Sequence, residues 1–348
     1  MTFLNVLNLV LFILIILMSN MQAKLINRKT EINVGDELDK SDATVVQDEN
    51  QMVRPRRSLV SPETIPDCYK QFVAGNEPPS GFRKNHTNIT YICQQVPDDP
   101  TETFFYSTMF DVDYGIPIYS AYVVSQAQAS EIGTVTRQGL GGDNWRQEAG
   151  LGTAKQASDL TYGPQTIYDK GHLVPAQTYS FTIPHMLSTF TYTNAVPQKS
   201  KFNTGQWRQY EDKIRKYATS ECSPKGGDLY LITGISEVNL QEQATGKPKA
   251  IQEIPLKPLG AGTAPKVSIP RSMWTAGCCI VPSEGAVGSF AVMGNNLVTP
   301  KVVSLNITEL QDFLLIGVHG FGGTAINLFP GNPGCSVKDV NLNKRKAT

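Results

Sequence analysis

The chain has 348 residues, 40% hydrophobic and 18% charged, with 31 basic against 31 acidic side chains and a pI near neutral. This is an ordinary globular composition with room for one large domain or two small ones. A formal net charge of zero excludes a whole-molecule field as the means of gathering a polyanion, so any such ligand has to meet a local basic patch.

Phe3 to Met18 is almost continuously apolar, and Met21-Gln22-Ala23 offers a cleavage site after Ala23. The run is shorter than the roughly 20 residues a membrane span needs. Residues 1–23 therefore read as a signal peptide, and the protein as secreted and extracellular. Residues 24–57 read as an acidic pro-segment: between Glu31 and Glu49 there are seven acidic residues against Lys40 alone, and few large apolar side chains. It ends at Arg54-Pro55-Arg56-Arg57, which resembles the site cut by proprotein convertases of the secretory pathway. A solvated linker that is never cut is the plainer reading. If the acidic arm reaches a basic cleft, the uncut chain is expected to be partly inhibited.

Residues 58–348 read as one domain, its first element expected near Cys68. Asn85, Asn88 and Asn306 each open an N-glycosylation sequon and predict exposed loops. Cys68, Cys93, Cys222, Cys278, Cys279 and Cys335 make an even set in an exported chain, which predicts disulfides of open connectivity. Cys278 and Cys279 are adjacent and are expected to reach different partners.

Aromatic and β-branched runs predict strands at 103–110, 117–124, 188–196, 228–235, 266–269 and 288–293, with a turn at Asp113-Tyr114-Gly115. Trp207, Tyr210, Ile214 and Tyr217 repeat at helical spacing and predict a helix from about Asn203. A second helix is expected after Asn306, with Thr308 and Gln311 as a capping box. The stretches 139–152 and 321–334 are Gly-rich or Pro-rich and read as loops.

One stretch, Tyr168 to Lys216, concentrates the chemistry. Hydrolysis of a phosphodiester needs a base for water, a Lewis acid, and cations to offset developing charge. His172, in Asp169-Lys170-Gly171-His172, suits the base, since a neutral imidazole accepts a proton at physiological pH. Asn203 suits a ligand of Mg²⁺, which keeps several waters and takes few protein oxygens. Asn203, Trp207, Glu211 and Arg215 follow at four-residue steps, so on a regular helix the polar members stay near one edge. Glu211 is expected at the metal, Arg215 at the phosphate or at Glu211, and Asn194 at the end of a strand facing the same place. Lys199, Lys201, Arg208, Lys213, Arg215 and Lys216 provide the local basic patch. Each residue also has a plain alternative: a structural histidine, an N-cap at Asn203, and a surface pair of Glu211 with Arg215. His86, His185 and His319 read as structural.

In order, DKGHLVPA, TYTNAVPQ and FNTGQWRQYE resemble the DNA/RNA non-specific endonuclease family. The similarity to its secreted branch, the endonuclease domain-containing 1-like proteins, extends to Ile92-Cys93-Gln94, to 116–122 and to 274–279. The resemblance implies an α+β fold with a ββα-metal core on a central antiparallel sheet, and Mg²⁺-dependent cleavage of DNA and RNA, with Mn²⁺ as a replacement ion. It makes His172 the base, Asn203 the direct ligand, Asn194 and Glu211 supports of the metal and its waters, and Arg215 a phosphate contact. Lys170 stands where the family usually has Arg, so charge is kept and the bidentate fork is lost. An upstream arginine of the family matches either Arg137 or Arg146. The alternative is a nuclease-fold protein that binds nucleic acid or another partner with little or no turnover.

Overall fold

The computed structural model describes residues 58–343, apart from 63, 83–87, 98–102, 143, 165–166, 243–247, 253–256 and 319–324. In chain order the strands are β1 (Leu59–Pro62), β2 (Ile89–Gln94), β3 (Tyr106–Asp111), β4 (Ile116–Val124), β5 (Tyr168–His172), β6 (Ala195–Lys199) and β7 (Asp228–Ser236). They continue as β8 (Val238–Glu242), β9 (Pro248–Gln252), β10 (Lys257–Leu259), β11 (Val267–Ile269), β12 (Ser272–Val281), β13 (Gly285–Asn295) and β14 (Val302–Leu305). The longer helices are α1 (Ile183–Ser188), α2 (Arg208–Tyr217) and α3 (Ile307–Val318).

Eight strands form one sheet in the order β1-β2-β3-β4-β7-β12-β13-β14, and every pairing in it is antiparallel. Its central strands β3, β7 and β12 are largely buried on both faces, so they show little of the inside–outside alternation of a one-sided sheet. On β12 the side chains divide by parity: Trp274, Ala276 and Cys278 enter one core with Ile307, Leu310 and Leu314, while Met273 and Cys279 enter the other with Trp207, Ile214 and Tyr217. The sheet is thus a middle layer, with α3 on one face and the β5–β6–α2 unit on the other.

That parity also decides the disulfides. Cys278 pairs with Cys335 on one face and Cys279 with Cys222 on the other, so the neighbours do reach different partners; Cys68 pairs with Cys93. The Cys222–Cys279 bridge closes a loop of 57 residues, which in the chain-entropy account stabilises the fold by about 4 kcal/mol.

Several expectations need correction. The sheet begins before Cys68, because β1 pairs with β2 from Leu59 onward. The stretch 188–196 is not one strand: α1 ends at Ser188, a tight helical turn covers Tyr192–Asn194, and β6 starts only at Ala195. Its Thr-rich composition suits a strand, but Thr189 and Ser188 spend their hydroxyls on carbonyls three residues back, closing the helix end instead. The cap of α3 is Asn306 with Glu309, each side chain bonded to the other's backbone N–H, and not Thr308 with Gln311. Asn306 is therefore a helix cap as well as a sequon residue. Asn88 is exposed and its amide donates to Asp113, whereas Asn85, His86 and His319 lie outside the described residues, as do residues 1–57. Among the described residues no helix is long and apolar enough to cross a membrane.

Candidate active site

A two-stranded hairpin and a helix build the site. β5 and β6 pair antiparallel with Lys170 opposite Pro197, Gly171 opposite Val196 and His172 opposite Ala195. Gly171 is required by space: a Cβ there would fall 2.1 Å from Oε1 of Gln198, a fully buried side chain of β6. The glycine of one motif and the glutamine of the next thus fit each other.

After β6 the chain makes one helical turn, Ser200–Phe202, and then a wide π-type turn, Asn203–Trp207, before α2. Gly205 inside that turn leaves helical geometry (φ −100°, ψ −116°). The expected regular helix from Asn203 is therefore broken, and Asn203 is neither an N-cap nor on a straight four-residue ladder with Glu211. Both still line one cleft of about 950 Å³, together with Arg137, Trp145, Tyr162, Tyr168, Asp169, Lys170, His172, Arg208, Asp212 and Arg215.

His172 is buried at the wall of this cleft, between the rings of Trp145 (centroids 4.8 Å apart) and Phe190 (5.1 Å). Burial, helped by the nearby Arg137 guanidinium, holds its imidazole well below the usual range, so the ring is neutral at physiological pH. Among the described residues its Nε2 has no hydrogen-bond partner, and the same holds for the Tyr162 hydroxyl and for Arg215 Nη1, two further lining residues. Buried polar atoms left unpaired in one cleft mark a place built for something other than packing.

Asn203 is oriented from behind. Its Nδ2 donates to Asp169 Oδ2 at 2.9 Å, and Asp169 Oδ1 accepts from Ser200 Oγ at 2.6 Å. With the amide nitrogen so engaged, the Asn203 carbonyl oxygen is left for the cleft. Glu211 lies one helical stretch further on. Burial pushes its carboxyl up to about 7, against the pull of Arg215 and with a push from Asp212, while Arg137 and Arg208 also lower it. Arg215 pairs through Nη2 with Asp212, so the expected Arg215–Glu211 pair is replaced by one three residues apart.

The remaining expected residues divide. Lys170 lines the cleft, pairs with Asp159 at 2.5 Å, and lies over the rings of Trp145 (5.4 Å) and Tyr192 (5.5 Å). Tyr192 also donates to Asp159, and these two bonds hold the Asp159 carboxyl below its ordinary range. Asn194 is not in the cleft lining. It is fully buried, with Oδ1 accepting from Val174 N and Nδ2 donating to Val174 O and Thr189 O. It braces the turn that follows His172 instead of facing the metal position, because it precedes β6 in a tight turn. Of the six basic residues in 199–216, Arg208 and Arg215 line the cleft; Lys199 lies over Tyr168, and Lys213 is held by Tyr210 and Asn343. His185 packs among Phe105, Tyr179 and Phe181, as a structural histidine does.

A family model described as DNA/RNA non-specific endonuclease matches residues 85–311, more than half of the chain. The chain belongs to this family. Within it, the human Endonuclease domain-containing 1 protein is 25% identical over 234 residues, which span 63% of this chain and 40% of the human protein. A Nostoc protein named Nuclease is 26% identical over 188 residues, spanning 53% of this chain and 55% of that one. This chain thus spans about two fifths of the human relative's length. In fold it is similar to a chain in the crystal structure of the EndoG/EndoGI complex, with a TM-score of 0.51 at 15% identity over 69% of this chain and 89% of that one. The ββα-metal core on an antiparallel sheet is the shared architecture.

The non-specific endonuclease family depends on a divalent ion, and the residues of this cleft fit one. No group of three or more His, Cys, Asp or Glu stands together at ligand spacing among the described residues. A hard ion that keeps most of its waters does not need such a cage. The oriented Asn203 oxygen and the half-buried Glu211 carboxyl are the donors that suit it. One participant was missed in the sequence, and a choice between two arginines was left open there. Asp169 carries no assigned role until its bond to Asn203 is seen, although its place in the first motif was visible. Arg137 lines the cleft, whereas Arg146 is half-buried and donates to the carbonyls of Leu187, Phe190, Gln95 and Ser188. Geometry thus puts Arg137, and not Arg146, at the cleft.

Lys170 supplies a test of the cleft's cations. Lys170→Ala is expected to lower kcat/KM about 10- to 100-fold, the loss of one charge-assisted contact, while Lys170→Arg retains or raises it. Equal kcat/KM for all three proteins would place Lys170 outside the site.

Proposed function

We propose that this protein is a secreted, metal-dependent endonuclease that hydrolyses phosphodiester bonds of DNA and RNA without base specificity. The observation that carries the reading is a buried, neutral imidazole sharing one arginine-lined cleft with an oriented amide oxygen and a carboxyl. His172 takes the proton of the attacking water as general base. Asn203 and Glu211 hold Mg²⁺, replaceable by Mn²⁺, and the ion when bound acts as a Lewis acid toward the scissile phosphate. Arg137, Arg208 and Arg215 meet phosphate oxygens, and Arg215 Nη1, which has no partner among the described residues, is a donor available to do so. Aromatic walls from Trp145, Tyr162 and Tyr168 accept a nucleic-acid strand without reading its base edges. Three disulfides among the described residues support export to an oxidising compartment, with residues 1–23 as signal peptide and a convertase cutting after Arg57. Cleavage of plasmid DNA and of RNA by the purified protein, lost in EDTA and restored by Mg²⁺, is the deciding assay; full activity in EDTA overturns the reading.

The raised carboxyl of Glu211 makes a pH prediction. A carboxyl titrating at about 7 is mostly protonated at pH 6 and mostly ionised at pH 8. Protons then compete with the ion, so the Mg²⁺ concentration for half-maximal rate should be about tenfold higher at pH 6 than at pH 8. In metal-free protein the sign for stability is opposite. The folded carboxyl keeps its proton up to about 7 and the unfolded one only to ~4.5, so stability falls as pH rises through that window. Glu211→Gln should therefore raise Tm in EDTA at pH 8 and lose that advantage near pH 4.5. A Mg²⁺ requirement that does not change with pH would remove Glu211 from the ion's surroundings.

A further inference from the structure

Strand β1 opens beside a buried carboxylate. Ser58, the residue before β1, is 8% exposed, and its hydroxyl accepts from Gln94 Nε2 at 2.8 Å and from Gln95 N at 2.9 Å. The same Gln94 nitrogen donates to Glu148 Oε2 at 2.9 Å. Glu148 is 6% exposed and, among the described residues, forms no ion pair. Arg146, the cation that acts on it through space, is committed to backbone carbonyls. A buried carboxylate whose side-chain donor is a neutral amide gains from a cation brought into direct contact.

Both sides of this hydrogen-bonded cluster are held in place. The β1–β2 register places Leu59 opposite Cys93, which brings Ser58 to Gln94, and Val60 packs on Leu151. On the other side Gln156 bonds the backbone N–H and carbonyl of Glu148 and the carbonyl of Leu151.

Ser58 directly follows Arg54-Pro55-Arg56-Arg57. An endoprotease selective for paired basic residues adds water across the 57–58 amide, leaving a carboxylate on Arg57 and an α-ammonium on Ser58. We propose that Glu148 is the docking site for this new Ser58 ammonium, and that docking converts the chain to a tighter and more active form. An α-amine with its ordinary pKa near ~7.7–8.0 is charged at neutral pH and supplies the missing counter-ion. The cluster is connected to the wall that carries His172. Trp145, three residues before Glu148, packs on His172, and Arg146 N donates to the carbonyl of Phe190, whose ring packs on His172 as well. Thr193 Oγ1 donates to Gln94 Oε1 at 3.1 Å, tying the turn before β6 to the same glutamine. The activity part of the proposal rests on the nuclease reading; the docking part does not.

The test cuts the proprotein, residues 24–348, in vitro and compares cut with uncut chain in three versions. These are the natural sequence, Glu148→Gln, and a chain with one glycine inserted between Arg57 and Ser58, which keeps Glu148 but displaces the ammonium. Cutting should raise the Tm of the natural sequence by about 3 °C or more and raise turnover several-fold, and do neither in the two altered chains. If Glu148→Gln does not fold, the glycine insertion decides alone. No Tm rise in the natural sequence, or an equal rise in all versions, overturns the proposal. A turnover gain equal in all three without a Tm change also overturns it, and assigns inhibition to the acidic arm itself. The predicted Tm pattern with no hydrolysis in any chain supports docking and overturns the nuclease reading alone.

Discussion

His172→Ala should lower turnover on DNA by about 10²–10⁴-fold, the range that general-base catalysis contributes, and leave substrate binding nearly unchanged. The split follows from geometry. His172 lies against Trp145 and Phe190 and is neutral, so it adds no charge to the phosphate interaction. Arg137, Arg208 and Arg215 line the same cleft and keep theirs. Binding of an uncleavable duplex and single-turnover rates on a cleavable one separate the two effects. A variant that retains more than a tenth of the turnover excludes His172 as the base. Loss of packing is the competing cause of failure, since removing a buried ring leaves a gap. His172→Gln, which keeps more of the volume and no basic nitrogen, should be as inactive as the alanine variant and more stable than it.

Asn203→Ala should abolish Mg²⁺-dependent hydrolysis at millimolar ion, with any residual rate moved to higher metal concentration. The support of Asp169 refines the expectation. Asp169 fixes which end of the Asn203 amide turns to the cleft, through one bond of 2.9 Å. Asp169→Asn weakens that control without removing the ligand, so it should raise the Mg²⁺ requirement by about 10- to 100-fold, the usual effect of losing a partner that orients a ligand, and leave the rate at saturating ion closer to normal. Isothermal titration with Mg²⁺ gives a readout independent of turnover. Unchanged Mg²⁺ affinity in Asn203→Ala would place the ion elsewhere.

What the sequence by itself determined is the inventory and much of the framework. The order of Asp169 to His172, Asn194 to Gln198 and Asn203 to Glu211 points to the chemistry because those residue types at those spacings serve few other purposes together. The strands at 117–124 and 228–235 were legible because β-branched and aromatic runs mark two-sided burial. Adjacent cysteines seldom bridge each other, so separate partners for Cys278 and Cys279 were legible, and β12, which the sequence did not mark as a strand, turns the two to opposite faces. Only the tertiary structure decided the rest. Spacing treats the segment from Asn203 as a regular helix, but Gly205 and a wide turn re-aim Asn203 to Asp169, and no local propensity reports such a turn. Arg137 and Arg146 are equivalent as letters; hydrogen bonds to four carbonyls make one structural, and the cleft takes the other. Asn194 and Asn203 likewise share one side chain and differ only in what surrounds it: backbone groups on all sides for the first, a single carboxylate and an open cleft for the second. Hydrogen-bond partners distant in sequence are a property of the packed chain, which is why the roles of these amides and guanidiniums became legible only there.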